Sequence, residues 1–103
     1  MNYTFNRAWA EIDLDNIAHN VKEVRRLAGK RTEIIAAVKA DAYGHGTLET
    51  VDTLLENGVT RLAVSMLDEA IQLRKIGIDV PILVLNHTAF RRLSEVLEYG
   101  ITQ

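Results

Sequence analysis

Apolar and polar positions alternate along this chain in short runs whose period changes several times. "WAEID" (Trp9 to Asp13) alternates with period two, the pattern of a half-buried strand. From Leu14 the period lengthens. Leu14, Ile17, Val21, Val24 and Ala28 fall on one face of a helix that Asp13 can cap, with Gly29 behind it. "IIAAV" (Ile34 to Val38) is too short for a helix and reads as a strand buried on both faces. A second helix is expected from Thr47 to Asn57, with Leu48, Val51, Leu54 and Leu55 inward and Gly58 ending it. "RLAVSM" (Arg61 to Met66) predicts a strand, and Asp68 to Ile76 a helix with Ala70, Ile71 and Leu73 inward. Pro81 opens a strand over "ILVL" (Ile82 to Leu85), where a missing N–H is tolerated. Thr88 can cap a last helix with Phe90, Leu93, Val96 and Leu97 inward, and "ITQ" looks like the start of another strand.

Predicted strands begin near positions 34, 61, 82 and 101, a spacing that parallel βαβ units explain because each crossover needs a helix. An open doubly wound sheet and a (β/α)8 barrel both use such units, and the Gly-rich dinucleotide fingerprint that would favour the first is absent. The regular repeat fits a TIM-type barrel better. A barrel needs at least ~200 residues, so the 103 present supply about three βα units plus a preceding strand and helix. The fold expected is therefore α/β, the N-terminal portion of a (β/α)8 barrel. It is organised as one domain over 1–103, with a leading strand segment at 1–13 and a partial barrel at 14–103.

Composition narrows this only a little. Apolar residues are 48% and charged residues 25%, as in ordinary globular domains, and a net charge of −2 gives no attraction to nucleic acid or an anionic membrane. There is no Cys, hence no disulfide or thiolate metal site, and no run approaches the ~20 residues of a membrane span. A cytoplasmic protein with neither nucleic-acid nor membrane partners is the expectation.

The candidate chemistry gathers in "IIAAVKADAYGHG", residues 34–46. Ligands of parallel α/β folds sit at the carboxyl ends of strands, and Lys39 lies at such an end. Partial burial there disfavours the ammonium form, and a neutral amine can form a Schiff base with a carbonyl. The plainer alternative is a solvated Lys paired with Asp41. Tyr43 offers a hydroxyl to an anion, or is a rim residue. Gly44 and Gly46 permit a tight turn with positive φ. Asp41 and His45 have no third ligand at metal-binding spacing, since His19 and His87 lie on other segments, and no metal site is expected. Asp13 and Asp15 read as capping and first-turn charge, and Arg25, Arg26, Arg91 and Arg92 as solvated helix-face charges.

"AVKADAYGHG", residues 37–46, resembles the pyridoxal-phosphate attachment signature of bacterial alanine racemases, A-V-[VI]-K-A-[ND]-A-Y-G-H-G. "RAWAEIDLDNIAHNV" resembles the opening of that family and "RLAVSMLDEAIQLRKIGIDVPILVL" its second and third barrel units. The likeness is clear from Arg7 to Leu85 and looser to Gly100. It implies a fold-type III enzyme that interconverts L- and D-alanine and so supplies D-alanine for cell-wall peptidoglycan. Lys39 matches the lysine that binds pyridoxal 5'-phosphate covalently and, once freed, acts as a base on the substrate. Tyr43 matches a tyrosine that hydrogen-bonds the cofactor phosphate, and Ala37 and Leu85 match positions lining the cofactor. Ala37 is smaller than the Val often found there. The resemblance also implies a homodimer, with a second base and most phosphate donors lying outside these 103 residues. The chain by itself is accordingly expected to be an inactive N-terminal part. A serine or broad-specificity racemase, a non-catalytic pyridoxal-phosphate-binding module and an independent small α/β binding domain are the alternatives.

Overall fold

The structure, a computed structural model, describes residues 8–103. Helix α1 (Leu14–Ala28) starts where Asp13 places its carboxylate on the backbone amides of Asp15, at 2.9 Å, and Asn16, at 3.3 Å. Asp13→Ala removes both acceptors from the first turn and is expected to cost about 1 kcal/mol, read as a lower urea midpoint at unchanged slope. Strand β1 (Ile35–Ala37) follows, then a short helical turn α2 (Lys39–Tyr43) and helix α3 (Thr47–Glu56). Strand β2 (Arg61–Val64), helix α4 (Leu67–Lys75) and strand β3 (Ile82–Val84) complete the second and third units. A 3-10 turn at Phe90–Arg92 leads into helix α5 (Leu93–Glu98).

All strand pairs are parallel, and the sheet order β1-β2-β3 is the chain order. Thr102 extends the sequence of strands, bridging Leu83 in parallel with Val84 N–H donating to its carbonyl at 2.8 Å. Right-handed crossovers between strands that never reverse order must all lie on the same side. Leu62, Val64, Ile82 and Val84 therefore turn into an apolar layer shared with Val51, Ala70, Ile71 and Leu73, all of them buried.

The other side of the sheet is open, which corrects the expectation that "IIAAV" is buried on both faces. Ile35 and Ala37 are exposed while Ala36 is half-buried, because helices cover one face only. The leading strand over Trp9 to Asp13 is absent too. Residues 8–13 are irregular and exposed, since a strand needs a partner for its amides and none of the described strands pairs with it. Residues 1–7 of the same leading segment lie outside the described residues. The last helix also differs. Thr88 is buried with its hydroxyl unpartnered and caps nothing, and Phe90 and Leu97 point outward, 85% and 82% exposed, leaving Val96 to hold α5 down.

Two arginines bind backbone rather than solvent. Arg25, expected on a solvated face, donates to the carbonyls of Gly29 (2.9 Å), Thr32 and, at the end of α3, Gly58 (2.8 Å). Arg74 does the same two repeats later, donating to Ile78 and Val80 at 2.7 Å, Tyr99 at 2.8 Å and Gly100 at 3.0 Å. Each guanidinium joins the end of its helix to the loop leading into a strand, and then to the end of a later helix.

Arg92 is not a free surface charge either. It meets Asp68 at 2.7 Å and Glu95 at 2.9 Å, so α5 is tied to the start of α4. Hydrogen bonds from Arg92, and then its charge, hold the Asp68 carboxyl below its ordinary value of 3.8. The same hydrogen bonding holds Glu95 below 4.5. A carboxylate with a depressed folded pKa stabilises the fold above its unfolded pKa, and the gain disappears as pH falls through the folded value. Stability should thus fall below about pH 4 more steeply in the native protein than in Arg92→Ala. The difference should shrink in high salt because the groups are solvent-accessible; parallel acid titrations of the two proteins would expose any error.

Candidate active site

Lys39 stands one residue beyond the last hydrogen bond of β1, where Val38 N–H donates to Ala63 carbonyl at 2.8 Å. The chain then does something rare. Ala40, Asp41, Ala42 and Tyr43 have φ of 51°, 56°, 55° and 56°, so α2 winds left-handed through four residues that carry a Cβ. Left-handed helix costs L-residues roughly 1–2 kcal/mol each, and such strain persists only where its surroundings over-determine it.

The sequence around the turn supplies those restraints. Ala42 N–H donates to Val38 carbonyl at 2.9 Å and Gly44 N–H to Ala40 carbonyl at 3.1 Å, closing helical rings of the opposite hand. Asp41 accepts the Thr47 amide at 2.8 Å and so fastens the turn to the first residue of α3. Thr47 Oγ1 donates to Val38 carbonyl at 3.0 Å, and His45 Nδ1 lies 2.9 Å from Ala42 carbonyl. Asp41 and His45, which spacing left without work, are the struts of the turn. Gly44 and Gly46 both take φ of 90°, as the tight turn required, and a Cβ on Gly46 would stand 2.4 Å from Glu49 Oε2.

This geometry brings the predicted lysine and tyrosine together. Lys39 Nζ is 6.0 Å from the centre of the Tyr43 ring, at the outer edge of cation–π range. Lys39 is half-buried, and Tyr43 is 62% exposed with its ring open to a ligand. Ala37 and Leu85 are not adjacent. Register places Ala37, Ala63 and Leu83 in one row on the open face, so Leu85 lies one pleat further toward the carboxyl ends and two strand spacings, ~10 Å, across. Both are exposed on that open face, flanking the small Ala63. Ala37 and Leu85 thus stand on one face of the sheet, and Lys39 and Tyr43 follow at the carboxyl end of β1.

Glu69 is the residue that spacing alone missed. Its carboxylate accepts the amides of Ser65 and Met66 at the start of α4 and the amide of Ala40 in the left-handed turn. A Glu at the third helical position was the available signal, hidden because the helix was expected to start at Asp68 rather than Leu67. Behind the turn, Glu69 lines a cavity of about 340 Å³ with Val38, Asp41, Thr47, Val64 and Gln72. No three His, Asp or Glu among the described residues are grouped to hold a metal ion, and no described helix is long and apolar enough to cross a membrane.

Known proteins match both sequence and geometry. Residues 12–103 match the family described as "Alanine racemase, N-terminal domain". Alanine racemase 1 of Clostridium acetobutylicum is 52% identical over 95 residues, 92% of this chain and 24% of that protein. The crystal structure of alanine racemase from Bacillus anthracis with bound L-Ala-P superposes with a TM-score of 0.88 at 41% identity, covering 94% of this chain and 25% of that one. A histidine racemase from Leuconostoc mesenteroides subsp. sake superposes at 0.79 with 35% identity, over 85% of this chain and 23% of its own. The chain therefore spans about a quarter of the length of the relatives it matches. Its parallel sheet is the opening arc of their (β/α)8 barrel, incomplete here. A match over 92% of the sequence at half identity, with the strand-end lysine and its turn inside it, assigns the chain to the alanine racemase family, within whose N-terminal domain it falls.

Proposed function

We propose that the intact protein is an alanine racemase that holds pyridoxal 5'-phosphate on Lys39. The observation that carries this reading is the placement of the Lys39 amine at the carboxyl end of a parallel strand, directly before a strained turn that delivers Tyr43 beside it. Catalytic groups of parallel barrels occupy that edge, and strained backbone of this kind gathers at active sites.

The residues present fit such a cofactor. A primary amine can bind its aldehyde carbon covalently, and the Tyr43 hydroxyl can donate to its phosphate. Ala37, small and exposed, would face a flat ring without obstructing it, and the exposed Leu85 offers an apolar edge. When bound, the cofactor spreads into its ring the negative charge left at the substrate Cα. The chain's own work is positional. Lys39 would hold the cofactor through its amine, and that amine would also be a base able to take or return a proton at the substrate Cα. Inversion needs a second base on the opposite face, which this reading draws from a partner subunit in a homodimer. D-alanine made in this way would serve the peptidoglycan of the cell wall.

Circular dichroism of alanine solutions incubated with the intact protein and pyridoxal phosphate tests the reading. Both enantiomers should decay to the racemate, faster than serine or histidine does. The histidine racemase of similar structure makes histidine a necessary member of that panel. Turnover of histidine or serine without alanine would overturn the substrate and leave the chemistry standing. No turnover of any of them would overturn both.

A further inference from the structure

Three backbone amides converge on the Glu69 carboxylate, and they belong to two different βα units. Oε1 accepts the amides of Ser65 and Met66, each at 2.9 Å, and thereby caps α4. Oε2 accepts the amide of Ala40 at 2.9 Å, across 29 residues of sequence. Ala40 directly follows Lys39 and is the first of the left-handed residues. The other side chains that brace the turn, Asp41, His45 and Thr47, come from the turn itself or the helix after it. Glu69 reaches it from the next unit, whose own start is fixed by the same carboxylate.

We infer that Glu69 is a positioning residue for Lys39, holding the Ala40 amide so that the lysine leaves β1 in a single direction, toward the Tyr43 ring. The inference rests on the reading of Lys39 given above. A ligand-binding amine on a flexible root loses affinity to the cost of ordering it, and the bond from Glu69 removes that cost in advance. The carboxylate makes no contact that would bring it to the reacting atoms; it acts through the backbone.

The two-oxygen division of labour allows a clean test, because glutamine is an isostere with only one acceptor oxygen. In Glu69→Gln that oxygen keeps most bonds by remaining on Ser65 and Met66, which sets the amide NH2 against the Ala40 N–H. Cap and tie are thereby separated. Amide hydrogen exchange of the intact protein without cofactor should show Ala40 exchanging about ten-fold faster, with Ser65 and Met66 changed by no more than about two-fold. The pyridoxal phosphate concentration giving half-maximal labelling of Lys39, read by peptide mass after borohydride reduction, should rise by about ten-fold.

An unchanged Ala40 amide overturns the tie. A faster Ala40 amide with unchanged labelling overturns the positioning of Lys39 and leaves Glu69 a helix cap. If the unmutated protein itself is not labelled at Lys39, the proposed function fails and the inference with it. Should Ser65 and Met66 also lose protection, the double variant Glu69→Gln/Met66→Asp decides, because an aspartate at the N-cap supports the start of α4 without an acceptor for the Ala40 amide. Labelling that stays poor supports the inference; labelling restored by half or more overturns it.

Discussion

Lys39→Ala is expected to lower alanine racemisation by the intact protein more than about a thousand-fold, because on the proposed reading it removes the covalent anchor and one of the two bases together. Tyr43→Phe would leave both functions in place, which is why the lysine substitution carries the larger effect. The fold should survive. The Lys39 side chain is half-buried and faces the Tyr43 ring, while the hydrogen bonds that hold the left-handed turn come from Val38 carbonyl, Asp41, Thr47 and Glu69. Thermal unfolding of the variant should therefore match that of the native protein. The diagnostic measurement is mass after borohydride reduction with pyridoxal phosphate. Native protein should gain one adduct on the Lys39 peptide, and the variant should gain none there. Racemisation surviving at native rate in Lys39→Ala would falsify the assignment of the catalytic amine.

The largest expected effect on stability belongs to a residue that grips the loop before β3. Arg74→Ala should lower the free energy of unfolding by about 2–4 kcal/mol. The guanidinium donates to four carbonyls, and those of Ile78, Val80, Tyr99 and Gly100 belong to the loop before β3 and the turn before Thr102. Truncation strands all four at once, and no nearby donor replaces the planar fork. Arg74→Lys should recover little, since an ammonium on a single stem cannot span acceptors arranged for a guanidinium. Arg26→Ala is the proper control. Its ion pair with Glu23 is exposed, so a change beyond about 0.5 kcal/mol is not expected. Urea midpoints for the three variants suffice, and an Arg74→Ala protein no weaker than the Arg26→Ala control would refute the clamp.

Local pattern was enough for what local forces decide. Asp13 caps α1, Ala70, Ile71 and Leu73 are buried on α4, and the βα repeat becomes a parallel sheet in chain order, because each depends on residues a few positions apart. Failures share a different cause. Periodicity says which side chains avoid water, not whether a neighbour exists to cover them. Ile35, Phe90 and Leu97 are apolar at the expected positions and remain exposed for want of one. Trp9 to Asp13 has a strand's alternation and no strand beside it among the described residues.

At the candidate site the lysine, tyrosine and glycines were legible because a motif holds them within eight residues. Glu69, Arg25 and Arg74 were not. Each acts on backbone groups of another unit, 25 to 33 residues away in the longest cases, and a carbonyl or amide carries no side-chain signature. The left-handed hand of α2 was equally hidden, as alanine and aspartate give no sign of φ near 55°.

The match between sheet order and chain order has a consequence for synthesis on the ribosome. Among the described residues β2 and β3 each join the edge laid down immediately before them, so on that side of β1 pairing can keep step with synthesis. β2 begins at residue 61 and β3 at residue 82, and at ~5–20 residues per second an edge stands bare for roughly one to four seconds before its neighbour emerges. The hazard of a naked sheet edge thus moves along the nascent chain, one strand at a time. Arg25 and Arg74 punctuate that advance. Each is translated before the helix end that it grips in the fold, so each clamp can form only once that end has been made.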